Sequence, residues 1–169
     1  DTIKKLSDYA ILTGQSQKFV GVPKTIDNDL ALTDHTPGYG SAAKYIATST
    51  KEVIRDGLGF SYKKQQVIII EIMGRNAGWL TGAAALSRGE DCDGPDLIYL
   101  PELTFDIEKF TAKVRKLLTR KDVVVVAVSE GIRIQDGRYV SELGSASDYV
   151  DAFGHKQLTG TASYLANVI

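Results

Sequence analysis

Cysteine is almost absent from the 169-residue chain, where Cys92 is the only one. A disulfide needs two cysteines, so the sequence excludes an internal disulfide framework and fits a reducing compartment. An excess of charge of one sign is also missing, since the formal net charge is −1 and no long basic tract occurs. A general nucleic-acid-binding protein needs a strongly positive surface. We therefore expect a cytoplasmic protein without a nucleic-acid partner.

Long hydrophobic runs are missing as well. No apolar stretch approaches the ~20 residues that a membrane-spanning helix needs, so we expect no membrane partner. The composition that remains, 43% apolar and 24% charged residues, is that of a globular protein. A chain of this length can bury a sizeable core, and it contains neither an internal repeat nor a low-complexity segment. The sequence therefore predicts one compact domain.

Both ends of the chain indicate that it is part of a longer protein. The first residue is Asp1, and a helical pattern begins at once, with apolar residues at positions 3, 6, 10 and 11 and a stop at Gly14. The last residue, Ile169, lies inside another apolar helical pattern that has no cap. We interpret residues 1–169 as a single internal fragment.

Helical and strand patterns alternate along the chain. Continuous β-branched runs are typical of strands covered on both faces, whereas apolar residues at helical spacing predict helices. The predicted strands are Phe19–Val22, Val67–Ile72, Leu97–Leu100 and Val123–Val128; the predicted helices are about Ser41–Asp56, about Ala77–Leu86, a helix capped by Asp106 and ending at Leu118, and one from near Thr161, with a hairpin over Gly131–Val140. This alternation predicts an α/β fold with three αβα layers and a mainly parallel sheet.

The loop Pro23–Asp29 carries the most concentrated polar chemistry. It follows the predicted strand Phe19–Val22, which Pro23 ends because proline cannot donate to a sheet ladder. In an extended segment Asp27 and Asp29 would share one face, and two such carboxylates can divide their roles between a proton and a metal ion. The alternative is a solvated turn, since Asp and Asn favour turns.

Polar clusters follow the other predicted strands too. In open parallel sheets, ligands bind outside the carboxyl ends of the strands. Together the clusters supply acids, a fixed cation, hydroxyls, an imidazole and glycines, which is the outline of a site for a sugar phosphate. They are Met73-Gly74-Arg75, Pro101-Glu102, Ser129-Glu130-Gly131 and, before the last helix, Gly154–Gly160.

These motifs resemble those of the phosphofructokinase family. Pro23–Asp29 is similar to the family's catalytic signature, and the other clusters match in the same order, from about Gly21 to Ile169. One such motif is weak, whereas several in order are specific. The resemblance implies a phosphofructokinase-like fold and transfer of a phosphoryl group to the 1-hydroxyl of fructose 6-phosphate. The product would be fructose 1,6-bisphosphate, as in glycolysis, and the implied cofactor is Mg²⁺.

The resemblance also implies roles for individual residues. Asp27 matches the general base that takes the proton of the sugar hydroxyl, and Asp29 matches the acid associated with Mg²⁺ and the transferring phosphoryl group. Arg75 is able to offset charge in the transition state. The implied substrate-binding residues are Thr25, Ile26, Asp27, Met73, Gly74, Arg75, Glu102 and His155.

Several of these residues have a plain structural alternative. Arg75 could form a salt bridge, Glu102 could cap a helix or lie on the surface, and His155 could be a packing residue. Met73 is as much a packing residue as a contact residue, and Ser129-Glu130 could only shape a loop.

Lys24 bears on the phosphoryl donor and completes the implied catalytic set. Pyrophosphate-using members of the family carry lysine at this position and ATP-using bacterial members carry glycine. A long cation occupies space that a nucleotide needs and can offset the charge of pyrophosphate. The resemblance therefore implies pyrophosphate as donor, with ATP as the alternative. A second donor-determining position would lie upstream of Asp1.

Other features stay open at this point. Where the family places a basic residue for the sugar phosphate, the chain has Gln65 and Gln66, and Leu158 replaces an arginine. We interpret the chain as the catalytic loop plus the half that binds fructose 6-phosphate, inactive without the donor-binding N-terminal part and the C-terminal remainder. The full-length form is expected to be a homo-oligomer. Rival interpretations are a regulatory paralogue that only binds sugar phosphate and an unrelated α/β sugar- or nucleotide-binding domain.

Overall fold

A computed structural model of the chain describes residues 2–59, 64–144 and 160–169. Within these ranges helices and strands alternate, as their sequence patterns predict. A short 3₁₀ helix, Ala84–Ser87, follows α3 directly. In chain order the elements are α1 (Thr2–Leu12), α2 (Tyr39–Gly59), β1 (Gln66–Ile72), α3 (Trp79–Ala83), β2 (Leu97–Tyr99), α4 (Ile107–Leu118), β3 (Val123–Ser129), α5 (Val140–Gly144) and α6 (Thr161–Val168).

The described strands form one parallel sheet in the order β1-β3-β2. Strand β3 is therefore central, and Ala127 pairs with Ile70 of β1 and with Ile98 of β2. All residues of β3 are buried. A central strand of a parallel sheet has no face in water, which explains its uninterrupted run of valines and alanine.

The two faces of the sheet are covered by different helices. On one face Val124 and Val126 belong to a core cluster with Phe110 of α4 and Leu165 of α6. On the opposite face Val125 packs in a cluster with Ile54 of α2. Because successive side chains of a strand point to opposite faces, β3 contributes to both cores. The predicted three-layer αβα fold is confirmed.

Two local signals hold as predicted. Asp106 caps α4, where its side chain accepts a hydrogen bond from the Lys109 N–H at 2.9 Å and so satisfies a donor that the first helical turn leaves unpaired. The segment predicted as a hairpin turns back on itself, since the Ile134 N–H donates to the Arg138 carbonyl at 3.0 Å. Gly137 takes a φ of 87° in the turn, a value that suits glycine.

The prediction of a buried strand over Phe19–Val22 is wrong. Val20 and Val22 are 78% and 80% exposed, and within the described residues no strand pairs with this segment. The apolar run was a local signal, whereas a strand forms only where a neighbour supplies a hydrogen-bonding ladder. The segment leads to the Asp27 loop without regular secondary structure.

Smaller differences from the predictions concern the ends of helices and the burial of β1. Helix α2 extends past the predicted stop at Gly57, which lies inside the helix and is buried near the end of the Ile68 side chain of β1. The predicted helix Ala77–Leu86 is a shorter α3 continued by the 3₁₀ helix. Most of β1 is half-buried rather than covered on both faces, because it lies at one end of the described strand order. Helix α5 was not predicted.

None of the described helices is both long enough and apolar enough to cross a membrane.

Candidate active site

The loop that carries the two aspartates is closed by Asn28. Its backbone is left-handed, with φ 58°, a conformation that Asn tolerates better than most residues. The buried side chain donates from Nδ2 to the Asp34 carbonyl at 3.1 Å and accepts the Thr36 N–H at Oδ1 at 2.9 Å. Asn28 thus fixes the turn on which Asp27 and Asp29 lie, a function that the sequence motif did not reveal.

Asp27 has an unusual environment for a carboxylate. Its N–H donates to Thr25 Oγ1 at 3.1 Å, while its own Oδ1 is buried and has no hydrogen-bond partner among the described residues. Burial raises the pKa of Asp27 and the negative charge of Asp29 raises it further, whereas Arg75 and Lys24 oppose this rise. A buried carboxylate oxygen without a partner is a position at which a ligand proton or cation can bind.

The Met73–Arg75 segment leaves the carboxyl end of β1 through a turn that requires glycine. Gly74 has a φ of 142°, and a Cβ there would lie 2.6 Å from the Ala77 carbonyl oxygen. The Gly74 N–H donates to Glu130 Oε1 at 3.3 Å, and its carbonyl accepts the Ser129 hydroxyl. The turn is therefore held against the end of β3.

The strand order explains which clusters meet. Strands β1 and β3 run parallel with Ile72 opposite Ser129, so the residues that follow both strands emerge at one edge of the sheet. There the Gly131 backbone is so close to Arg75 that a Cβ at position 131 would overlap the Arg75 carbonyl. The prediction that polar clusters meet at a carboxyl edge holds for these two segments.

Glu130 belongs to the same group of charges. Burial raises the pKa of its carboxyl group, the Gly74 N–H and Arg75 lower it, and the charges of Asp27 and Glu71 raise it. The sequence motif alone is equally compatible with a loop-shaping role for Glu130. The sequence signal for Glu130 is an acid placed directly after the most apolar strand. This signal becomes informative once β3 is known to lie beside β1.

Helix α6 begins at the same edge. The Glu71 side chain accepts the Ala162 N–H at 2.9 Å, and the Thr161 hydroxyl donates to the Glu130 carbonyl at 3.2 Å. The residue before the helix, Gly160, has a φ of 97°. His155 lies outside the described residues, so its predicted place near the sugar phosphate stays a prediction.

Glu102 has a different neighbourhood. Its carboxylate accepts the Gly78 N–H at 2.7 Å, at the start of α3, and it lines a cavity of about 470 Å³ with Tyr39, Trp79 and Leu100. It follows β2, which β3 separates from β1. This contact matches the helix-capping alternative, and the role of Glu102 as a sugar-binding acid stays a prediction.

The remaining predicted residues differ in how far a ligand can reach them. Lys24 and Asp29 are exposed, and Met73 is 54% exposed. Thr25 is half-buried, and its hydroxyl oxygen accepts a hydrogen bond from the Asp27 N–H. Ile26 is half-buried and packs against a hydrophobic cluster below the loop, so its side chain anchors the loop.

The carboxylates provide only part of a metal site. Among the described residues, no group of three or more His, Cys, Asp or Glu side chains is arranged to hold a metal ion. Asp27 and Asp29 nevertheless offer carboxylate oxygens on one loop, and no described residue is a hydrogen-bond partner of Asp27 Oδ1. Since Mg²⁺ is commonly held by one or two carboxylates together with substrate phosphates, these residues fit that ion when a phosphate ligand is present.

Comparisons with known proteins identify the family of the chain. A sequence model described as phosphofructokinase matches residues 2–169. The chain belongs to the phosphofructokinase family.

Individual relatives are more specific. The chain is 48% identical to the pyrophosphate–fructose 6-phosphate 1-phosphotransferase of Xanthomonas campestris pv. campestris (strain B100), over 98% of this chain and 39% of that protein. It is 42% identical to a sulfofructose kinase of Alkalicoccus urumqiensis, over 73% of this chain and 32% of that protein. The crystal structure of a pyrophosphate-dependent phosphofructokinase from Marinobacter aquaeolei superimposes with a TM-score of 0.73 at 36% identity, over 99% of this chain and 37% of that chain. The chain thus spans about a third to two fifths of these relatives' length.

Proposed function

We propose that the protein containing this chain transfers a phosphoryl group from pyrophosphate to the 1-hydroxyl of fructose 6-phosphate. The products are fructose 1,6-bisphosphate and inorganic phosphate, and the reaction is a cytoplasmic step of glycolysis. The observation that carries the proposal is the half-buried Asp27 carboxylate, whose Oδ1 has no hydrogen-bond partner in the described part of the chain and which lies in the field of Arg75 and Lys24. The names of similar proteins support the same reaction.

In this reaction Asp27 accepts the proton of the 1-hydroxyl while that oxygen bonds to the transferring phosphorus. The bond from this phosphorus to the bridging oxygen breaks, and phosphate leaves. Burial raises the pKa of Asp27 and so makes its carboxylate a stronger proton acceptor. Arg75 and Lys24 offset the negative charge of the phosphoryl oxygens. Mg²⁺, held by Asp29 together with the donor phosphates, supplies further charge neutralisation when bound.

The sugar is held by the edge that β1 and β3 share. The residues proposed to bind it are Thr25, Met73, Gly74 and Arg75. Glu130 joins this set because its carboxylate accepts the Gly74 N–H at the same edge. The predicted contacts of Ile26, Glu102 and His155 are part of the same proposal. The full-length enzyme is proposed to be a homo-oligomer, of which this chain provides the catalytic loop and the half that binds fructose 6-phosphate.

The decisive experiment is a coupled assay on the full-length enzyme, with pyrophosphate and ATP offered separately. Asp27→Asn should lower kcat by about 10²- to 10⁴-fold, the usual contribution of a positioned general base. Asp8→Asn is the matched control, because Asp8 is an exposed residue that pairs with Lys4 on α1. An Asp27→Asn enzyme with the wild-type rate would disprove the assignment of the base.

The donor has its own test. Lys24→Gly should impair the use of pyrophosphate far more than the binding of fructose 6-phosphate, because the exposed ammonium group is proposed to act on the donor. Equal loss of both would refute this role, and a wild-type preference for ATP would establish the alternative donor. Sugar-phosphate binding without turnover by wild type would favour a regulatory paralogue. We expect no turnover from the 169-residue chain alone.

Sulfofructose is the sugar to offer in competition, because a relative with 42% identity is named sulfofructose kinase. A sulfonate carries one negative charge, whereas a phosphate monoester carries about two near neutral pH, so the two substrates need different cationic anchors. We propose fructose 6-phosphate as the preferred sugar, in line with the greater identity to the phosphotransferase. A higher kcat/KM for sulfofructose would reverse that preference.

A further inference from the structure

We propose that Ser129 is a positioning residue for Arg75, acting through the carbonyl group of the Gly74–Arg75 peptide. This inference rests on the proposed function, because it takes Arg75 to be the residue that contacts the transferring phosphoryl group. Ser129 itself is completely buried and is proposed to touch no ligand.

The hydroxyl of Ser129 both donates and accepts a hydrogen bond. It donates to the Gly74 carbonyl, and it accepts the Gly131 N–H at 3.1 Å. A serine hydroxyl has a single hydrogen to donate, so its entire donor capacity is spent on the peptide that leads into Arg75. Ser129 is the last residue of β3, and the central strand of the described sheet therefore fixes this hydroxyl in place.

The peptide needs such an external restraint. Gly74 has a φ of 142°, a region that glycine reaches freely because it lacks a Cβ, so its own sterics select no single orientation. On its other side, the Gly74 N–H is held by Glu130 Oε1. Ser129 and Glu130, which are consecutive at the end of β3, thus bind the carbonyl and the N–H of Gly74.

The same hydroxyl also controls how closely two backbones approach. Gly131 lies against the Arg75 carbonyl, where a Cβ would not fit, and Ser129 binds the Gly131 N–H. Removing the hydroxyl leaves a buried carbonyl and a buried N–H without this partner, so the contacting segments are free to shift relative to each other. A displacement of about 1 Å at a catalytic group can cost on the order of 10²-fold in rate.

The test compares Ser129→Ala with Ser87→Ala in the full-length enzyme. Ser87 is a matched control, because it is also buried and its hydroxyl also donates to a carbonyl, that of Ala84 at 2.7 Å, within the 3₁₀ helix after α3. Ser129→Ala should lower kcat/KM by roughly 10- to 100-fold. Ser87→Ala should leave kcat and KM unchanged, although both variants lower the unfolding midpoint. Equal kinetics in the two variants would overturn the proposal.

A double-mutant cycle tests whether the effect passes through Arg75. In an Arg75→Lys enzyme, whose side chain lacks the planar guanidinium, adding Ser129→Ala should cost much less than it does in wild type. Fully additive losses would mean that Ser129 acts elsewhere. Ser129→Thr retains the hydroxyl and should recover most of the activity that Ser129→Ala loses. If Ser129→Ala does not fold, Ser129→Cys, with its weaker donor and similar shape, replaces it in the same comparison.

Hydrogen exchange separates this inference from the proposed function. Amides 73–76 should exchange faster in Ser129→Ala than in Ser87→Ala, whatever reaction the enzyme catalyses. Unchanged exchange there would refute the positioning role. Absence of turnover in the wild type would instead refute only the proposed reaction.

Discussion

The N-terminal segment and the sheet are held together in different ways. In α1, Ile11 and Leu12 are 75% and 84% exposed, and only Ala10 is buried. In β3, by contrast, Val124 and Val126 are completely buried. Helix α1, the first part of this segment, thus owes its described form to contacts between near neighbours in sequence, whereas the sheet is stabilised by apolar burial between distant elements.

The candidate site combines the two regions. Asp27 lies on a loop that Asn28 closes through residues only six to eight positions away. Arg75 and Glu130 follow the ends of β1 and β3, which meet only because the sheet forms. The difference teaches that Asp27 and its charged neighbours can be perturbed separately.

The largest expected effect is on stability and concerns the core. Phe110 is fully buried between the α4 layer and the sheet, so Phe110→Ala should lower the free energy of unfolding by about 3–5 kcal/mol. Leu12→Ala in α1 should change it by less than about 0.5 kcal/mol, because Leu12 is largely exposed. Chemical denaturation of the 169-residue chain measures both, and similar losses would remove the contrast between the two regions.

A smaller effect is expected where the site contacts the sheet. In Gly131→Ala the new methyl group meets the Arg75 backbone, which cannot swing aside, so we expect a loss of about 1–3 kcal/mol. In the control Gly57→Ala, the methyl meets the end of the flexible Ile68 side chain. Alanine is also favoured over glycine by about 1 kcal/mol inside a helix. Gly57→Ala should therefore be nearly neutral, and a greater loss there than at position 131 would contradict the close packing of Arg75.

The smallest effect is a pH dependence of stability from the loop. Because the folded state raises the pKa of Asp27 above its ordinary value of 3.8, the folded state binds this proton more tightly than the unfolded chain does. Asp27 therefore lowers stability as pH rises from about 3.8 through its folded pKa, and the loss persists at neutral pH. Partial exposure and solvent screening keep it below about 1 kcal/mol.

Asp27→Asn removes this ionisation. The stability of the variant minus that of wild type should therefore be greater at pH 7 than at pH 3.5. Urea midpoints of both proteins at both pH values measure this difference. A variant that becomes relatively less stable at neutral pH would show that the carboxylate is stabilised, rather than strained, by the loop.

Sequence reasoning succeeded where the signal was local and repeated. The valine run of β3 and the cap and periodicity of α4 each determined their own element, so both were predicted within a residue or two. It failed for Phe19–Val22, because an apolar run does not specify a partner strand. It also missed α5, because five residues are too few to show a period.

For the site, the motifs identified the loop and the Met73–Arg75 segment, but not which strand ends adjoin. Alternating patterns predict a parallel sheet without fixing the order of its strands. Once β3 lies between β1 and β2, Glu130 becomes the acid beside Arg75, and Glu102 lies beyond the intervening strand. The support that Ser129 gives to Gly74 likewise depends on topology, since it joins residues 55 positions apart.

The hydrogen bond between Glu71 and the Ala162 N–H has a consequence for the order of folding events while the ribosome synthesises the chain. Its partners are 91 positions apart, so the carboxyl edge of the sheet is complete only when the last described helix has formed. At about 5–20 residues per second, a ribosome needs several seconds to add those residues. We therefore expect nascent chains that stop before α6 to contain both aspartates and Arg75 and still to lack the finished edge.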